Sequence, residues 1–259
     1  MLKIKKKHNR GENNNMEKLS SSVHFTLQGK GGAGKTFIST LIAQWIREKN
    51  IDLKCYDTDN VNATFEQYQD LKVEHIGIMD GNKINERGFD DLMESLLTQN
   101  RAFVIDNGAS SFAPLNNYMI ENGVMEMLKE QGKDVYIHTV LTGAQGIQDT
   151  AQGFKSLVNN FKDVPIIIWK NEYFGKIEID GKTFEDTKLY RTNTDKIKGM
   201  VTIAQRNRDT FIRDLEEMVK KKLTFDEVKA STAFKMMEKQ RLNIVKKDIF
   251  TQLDKVFGV

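Results

Sequence analysis

This chain of 259 residues has a single cysteine, Cys55, and only two prolines. One thiol excludes an internal disulfide and a zinc site built from cysteines. It fits a reducing compartment, so the sequence reads as cytoplasmic. Scarce proline leaves no Pro-rich linker and no reason to divide the body. Long apolar runs are missing as well. The longest, Pro165 to Trp169, falls far short of the ~20 residues a membrane helix needs, so no integral membrane segment is expected. The basic start runs into Asn and Glu rather than an apolar stretch, which argues against a secretory signal. A strong charge of one sign is also lacking. Residues 1–20 hold six basic and two acidic side chains, a surplus larger than the net +3 of the whole chain, so the remaining residues carry −1. Basicity is therefore no argument for nucleic-acid binding.

What is present suffices for a core. Hydrophobic residues make up 39% and charged residues 29%, a globular composition rather than a disordered one. Residues 1–20, with Asn13-Asn14-Asn15 and little to bury, read as a flexible tail, and 21–259 as a single domain. Val23, Phe25 and Leu27 alternate with polar residues at strand spacing. Ile38, Leu41, Ile42, Trp45 and Ile46 then recur at helix spacing. Further strands are expected at 52–56, 102–105, 134–141 and 164–169, and helices at 85–98, 116–130 and 144–160. This alternation predicts an α/β fold, a mostly parallel twisted sheet with helices on both faces. Asp80-Gly81 and Asp180-Gly181 suit tight turns and predict two β-hairpin insertions. After Val201-Thr202-Ile203 the chain reads as helical. Leu242, Val245, Ile249, Leu253 and Val256 mark a helix face expected to pack on the body.

The strongest motif is Gly29-Lys30-Gly31-Gly32-Ala33-Gly34-Lys35-Thr36, which satisfies G-x-x-x-x-G-K-[ST] between a strand and an amphipathic helix. Its glycines let successive backbone N–H groups turn inward as an anion nest, reinforced by the helix dipole. Lys35 is predicted to reach the β- and γ-phosphates and the Thr36 hydroxyl to hold Mg²⁺. Lys30 is not needed for cradling. It reads either as a solvated loop lysine or as a cation offered to a neighbouring subunit's nucleotide, the task of an arginine finger.

Ligands of an open α/β sheet sit at the carboxyl ends of its strands. Three polar clusters fall there. In Asp57-Thr58-Asp59-Asn60-Val61-Asn62, one acid would touch the metal's water shell and the other orient the attacking water. Equally, the segment reads as a capped turn before a helix near Thr64, with Asn62 as N-cap. Phe103-Val104-Ile105-Asp106-Asn107-Gly108 has the Walker B pattern. Its Asp106 would hold Mg²⁺ directly or through water, and the Gly108 N–H would meet the γ-phosphate. In Ile166 to Asn171, the Asn171 amide would bond a purine edge as donor and acceptor, or serve as a turn residue. His8, His24, His75 and His138 show no metal-ligand spacing, and Cys55 reads as a buried apolar residue.

GKGGAGKT with its early lysine resembles the deviant Walker A motif of the ParA/MinD ATPases, and DTD followed by NAT resembles their switch I. QGKGGAGKTFI, DTDNVNATF, IMDGNKIN, IDNGASSF and Lys222-Leu223-Thr224-Phe225-Asp226 together resemble the TraL proteins of plasmid conjugal transfer systems, over roughly residues 23–255. The resemblance implies a P-loop NTPase whose 21–259 body is a nucleotide-binding domain, and a slow Mg-dependent ATPase that pairs face to face as an ATP-bound homodimer. Lys30, Lys35 and Asp59 are the implied catalytic residues, Lys30 acting across the interface and Asp59 positioning water. Thr36, Asp57 and Asp106 are the implied metal residues. Gly29 to Phe37, with Gly108 and a looser match at Asn171, are the implied nucleotide contacts. Components of the conjugal transfer machinery are the implied partners. Three departures stand out: Asn60-Val61 where ParA proteins usually carry Pro-Gln, Phe37 where Thr or Ser is common, and DNGAS in switch II. Phe37 leaves only a backbone contribution. Two other readings stay open, a metabolic P-loop ligase or kinase and a nucleotide-binding module without turnover. DNA stays open as a partner too, with Arg206, Arg208 and Arg213 as the best local cluster.

Overall fold

The computed structural model describes residues 11, 13–81, 83–179 and 181–259. Residues 13–20, read from sequence as part of the tail, form a helix, α1. Its Leu19 is only 1% exposed, and Asn15 Nδ2 donates to Gly258 O (3.0 Å). A buried leucine and a hydrogen bond to the far end of the sequence thus order a segment whose composition alone suggests disorder. Residues 1–10 and 12 of the expected tail lie outside the described residues.

Seven parallel strands make the main sheet: β1 (Ser22–Thr26), β2 (Leu53–Asp57), β3 (Glu74–His75), β6 (Ala102–Asp106), β7 (Asp134–Thr142), β8 (Ile166–Asn171) and β11 (Ile197–Ile203), in the order β11-β8-β7-β1-β6-β2-β3. β4 (Met79–Asp80) pairs antiparallel with β5 (Lys83–Ile84), and β9 (Glu178–Ile179) with β10 (Lys182–Thr183). These are the two hairpins expected at the Asp-Gly pairs.

Because successive strand residues point to opposite faces, each strand feeds two cores. Val23, Phe25, Phe103, Ile105, Ile166 and Ile168 face one way. There they meet α3 (Gly88–Thr98), α4 (Phe112–Glu121), α5 (Val124–Glu130) and α6 (Ile147–Asn160). Val104, Val140, Ile167 and Trp169 face the other way, against α2 (Lys35–Glu48), α8 (Arg213–Lys220), α9 (Phe225–Ala230) and α10 (Met236–Phe257). A four-residue helix, α7 (Lys188–Arg191), precedes β11. The helix expected at 116–130 is two helices, because Gly123 takes a left-handed φ of 59° and caps the second. The helix expected from 144 begins at Ile147, after a turn in which Ala144 is held at φ 52°. Leu242, Val245, Ile249 and Leu253 of α10 are buried on the body as expected.

A chain of hydrogen bonds crosses the second core. Ser22 Oγ donates to Leu19 O (2.7 Å), which leaves it to accept from His24 Nε2 (2.8 Å). His24 Nδ1 then accepts from His138 Nε2 (2.9 Å), and His138 Nδ1 accepts from the Trp169 indole (2.9 Å). The chain is consistent only if both rings are neutral with the proton on Nε2. Burial pushes His24 down to about 3; burial and the neighbouring His24 push His138 well below its usual value. Depressed folded-state values mean that the unfolded chain takes up protons first as pH falls. Stability from this chain is therefore present above about 6.5 and lost progressively as pH falls toward about 3. Between pH 7 and 5 His24 is expected to contribute a loss of about 2 kcal/mol, and His138 a loss of the same sign. Urea unfolding at the two pH values checks this. A His24→Phe, His138→Phe double variant should lose most of the difference, and an unchanged pH dependence would refute the assignment.

Candidate phosphate-binding site

The loop from β1 to α2 is shaped by glycine. Gly32 has φ 70° and Gly34 φ 103°, left-handed values that a Cβ would strain. Gly34 is also the N-cap of α2, without a side-chain cap and with no acid in the first turn. The positive end of α2 is thus presented to whatever lies over the loop. At Gly29 a Cβ would come within 3.1 Å of the Phe112 ring. Phe37 packs its partly buried side chain on the core beneath.

Lys35 is 8% exposed, and its Nζ donates to Lys30 O (3.2 Å), arching back over the loop. Burial lowers its pKa, while Asp106 and Asp59 oppose that shift. Thr36 Oγ1 donates to Asp106 Oδ2 (2.7 Å), and Ser39, one helical turn further, donates to Asp106 Oδ1 (2.9 Å). Burial is the main cause that pushes Asp106 up to about 7. Asp57 adds to the shift, and Thr36, Ser39 and Lys35 oppose it. A cation beside this carboxyl would favour its ionised form. The Thr36 hydroxyl and the Asp106 carboxylate are hard oxygen donors of the kind Mg²⁺ takes alongside phosphate oxygens. Among the described residues no group of three His, Cys or carboxylate side chains gathers to hold a metal unaided.

The two acids after β2 are both tied to backbone. Asp57, fully buried, accepts from Asp59 N (2.9 Å) on Oδ1 and from Phe65 N (2.9 Å) and Glu66 N (3.1 Å) on Oδ2. Burial raises its pKa, and these three donors lower it. Asp57 thus does the capping that the sequence reading offered to Asn62, and the chain at Thr64 forms a turn rather than the expected helix. Asp59 Oδ1 accepts from Val61 N (3.0 Å) and Asn62 N (3.2 Å). Asp59 packs so closely on Gly108 that a Cβ there would lie 2.6 Å from its Cγ.

Asn171 is brought to the loop but turned inward. Its Nδ2 donates to Ala33 O (3.0 Å) and its Oδ1 accepts from Tyr173 N (3.2 Å), at 5% exposure. Of the two roles the sequence leaves open, the Tyr173 contact is that of the turn residue. The amide nitrogen also braces the phosphate loop, because the end of β8 lies against that loop's backbone. Lys30 is exposed. Its Nζ meets Asp149 Oδ2 at 2.7 Å, with the two side chains 43% and 58% exposed. Such a surface pair contributes about 0–1 kcal/mol and exchanges readily for another anion. A cleft of about 360 Å³ opens beside it, bounded by Lys30 to Ala33, the 142–146 loop and Phe174.

Several contributors escape sequence reasoning. Thr58, Asn107 and Ser111 lock the two acid loops together: Thr58 N donates to Asp106 O (3.0 Å), Asn107 Nδ2 to Thr58 Oγ1 (3.1 Å), and Ser111 Oγ to Thr58 O (3.1 Å). Gln28 Nε2 ties the loop's root to Val140 O (3.0 Å) and Thr150 O (3.1 Å). Only Ser39 left a signal, its i+3 spacing from Thr36. Of the arginines weighed for DNA, Arg206 is paired with Asp248 (2.5 Å).

No family model matches the chain. Among solved structures, the MinC:MinD cell division protein complex of Aquifex aeolicus is 12% identical with a TM-score of 0.49, covering 86% of this chain and 95% of that one. The MinD cell division protein of Aquifex aeolicus is 13% identical with a TM-score of 0.45, covering 86% and 96%. Two Escherichia coli proteins, each a protein TraL, are 43% identical over 235 residues, 90% of this chain and 98% of theirs. With identity of that order across nearly the full length of both partners, and a P-loop on an all-parallel sheet, this chain belongs to the TraL family.

Proposed function

We propose that this chain is a Mg-dependent ATPase whose ATP-bound form pairs with a second copy, and that this switch serves plasmid conjugal DNA transfer by positioning or recruiting transfer components. The observation that carries the reading is the convergence of Lys35, Thr36 and Asp106 at the uncapped start of α2, beneath a loop with two left-handed glycines. Backbone N–H groups from Gly29 to Phe37 and the Lys35 ammonium bind the triphosphate. Thr36 and Asp106 would hold Mg²⁺, which when bound would neutralise charge on the phosphoryl oxygens. Asp57, its oxygens already engaged, braces the loop that carries Asp59. Asp59 orients water, and the Gly108 N–H meets the terminal phosphate. Lys30, exposed and loosely paired, exchanges Asp149 for the phosphates of the partner copy. The TraL relatives support the place in conjugal transfer.

Light scattering of the purified chain tests this. Mg-ATP is expected to double the mass. Lys30→Ala is expected to bind ATP yet stay monomeric, and Asp59→Ala to hold the dimer longer than wild type. A wild-type chain that remains monomeric with ATP bound would remove the dimer from the account. One observation favours a second reading, a nucleotide-binding module without turnover: both oxygens of Asp57 and one oxygen of Asp59 are engaged by nearby backbone N–H groups. Phosphate release that stays at background for wild type with partners and DNA present would favour it.

A further inference from the structure

A cleft of about 650 Å³ lies between α9 and the first half of α10 and shares no residue with the phosphate loop. Its floor is apolar, with Phe225, Val228 and Leu242 each nearly buried. At its edge Met236 is 84% exposed and Met237 61% exposed. Four lysines also line it, Lys229, Lys239, Lys246 and Lys247, against one carboxylate, Asp226.

The floor is held in place before anything binds. Phe225 N donates to Gln44 Oε1 (2.7 Å) on α2, and Lys246 Nζ pairs with Glu48 Oε2 (2.7 Å) at the end of the same helix. Thr224 and Glu227 close a capping box at the start of α9. A preformed groove spares its ligand the ordering cost. Thioether side chains adapt their shape to an incoming apolar face. Lys246 is already paired with Glu48 and Asp226, and the other three lysines leave the rim cationic. An apolar floor with such a rim suits a ridge that is apolar on one side and anionic on the other, which is the surface of an acidic amphipathic helix. A flat bilayer would reach the two methionines but not the recessed floor.

We propose that this groove receives an acidic amphipathic helix of a partner protein. The probe is a fluorescein-labelled synthetic peptide of about 18 residues, five turns of helix, with leucine at i, i+3, i+4 and i+7 and glutamate elsewhere. It is titrated with the full-length chain and read by fluorescence anisotropy. Saturable binding that weakens as salt rises is expected. It should fall at least about tenfold in a Met236→Ser, Met237→Ser variant and again in a Lys239→Glu, Lys247→Glu variant. The methionine pair is exposed, so an unchanged thermal midpoint will show that the fold is intact. A peptide with lysine in place of glutamate should not bind. No saturable binding, or binding equal in wild type and both variants, overturns the proposal. So does capture of the chain by phosphatidylglycerol vesicles when the peptide is ignored, which would make the groove a lipid contact.

Discussion

Replacing Lys35 by alanine is expected to weaken binding of ATP and ADP with Mg²⁺ by about two orders of magnitude or more. Lys35 is 8% exposed, where water screens its charge poorly. Removing it also changes the balance around it. Asp106 and Asp59, the acids that act on Lys35, would then face the phosphates without that cation. Titration calorimetry measures the loss, and circular dichroism establishes that the variant is folded. Affinity within a few-fold of wild type would mean that the loop does not hold the triphosphate, and the functional proposal would fall with it.

Alanine at Gly108 is expected to damage the site by a different route. Its Cβ would lie 2.6 Å from Asp59 Cγ and 2.9 Å from Asp59 Cα. A side chain can rotate away, but a Cα moves only with the backbone. The loops after β2 and β6 must therefore part, against the hydrogen bonds among Thr58, Asp106, Asn107 and Ser111 that hold them together. The expected cost is about 1–3 kcal/mol of stability, read as a lower thermal midpoint. Displacing Asp59 by even a fraction of an ångström should lower phosphate release at least about tenfold. Nucleotide affinity, which rests on residues 29–36, should change less. A variant with wild-type midpoint and wild-type turnover would show that the two loops are not coupled as described.

Whether a feature was legible in the residues depends on its range along the chain. Val23, Phe25 and Leu27 mark a strand, and Ile38, Leu41, Ile42, Trp45 and Ile46 a helix, because period two and period 3.6 are properties of a few consecutive residues. The Gly-rich loop lies between them, and Gly34 is legible for the same reason: a left-handed N-cap is a local demand. Asn171 shows the limit. Its place at the end of β8 was legible, but the turn of its amide toward Ala33 depends on a partner 138 positions away. The Asp57 segment shows another limit. Spacing alone admitted both a metal acid and a cap, and the three backbone donors at Asp57 come from the way the 59–66 turn folds back. The helix at 13–20 was hidden because its anchors are Leu19 in the core and Gly258 at the far end of the chain.

By itself, then, the sequence determined most of the element types and the phosphate loop, since each rests on residues adjacent along the chain, and the family, through several short motifs that are each local. Only the tertiary structure decided which side chains meet. Placing β1 between β6 and β7 brings Thr36 to Asp106 and Gln28 to Thr150. Packing α9 and α10 against α2 leaves two methionines and four lysines around one groove. Those contacts join segments tens to hundreds of residues apart, and no local pattern encodes which strand lies beside which.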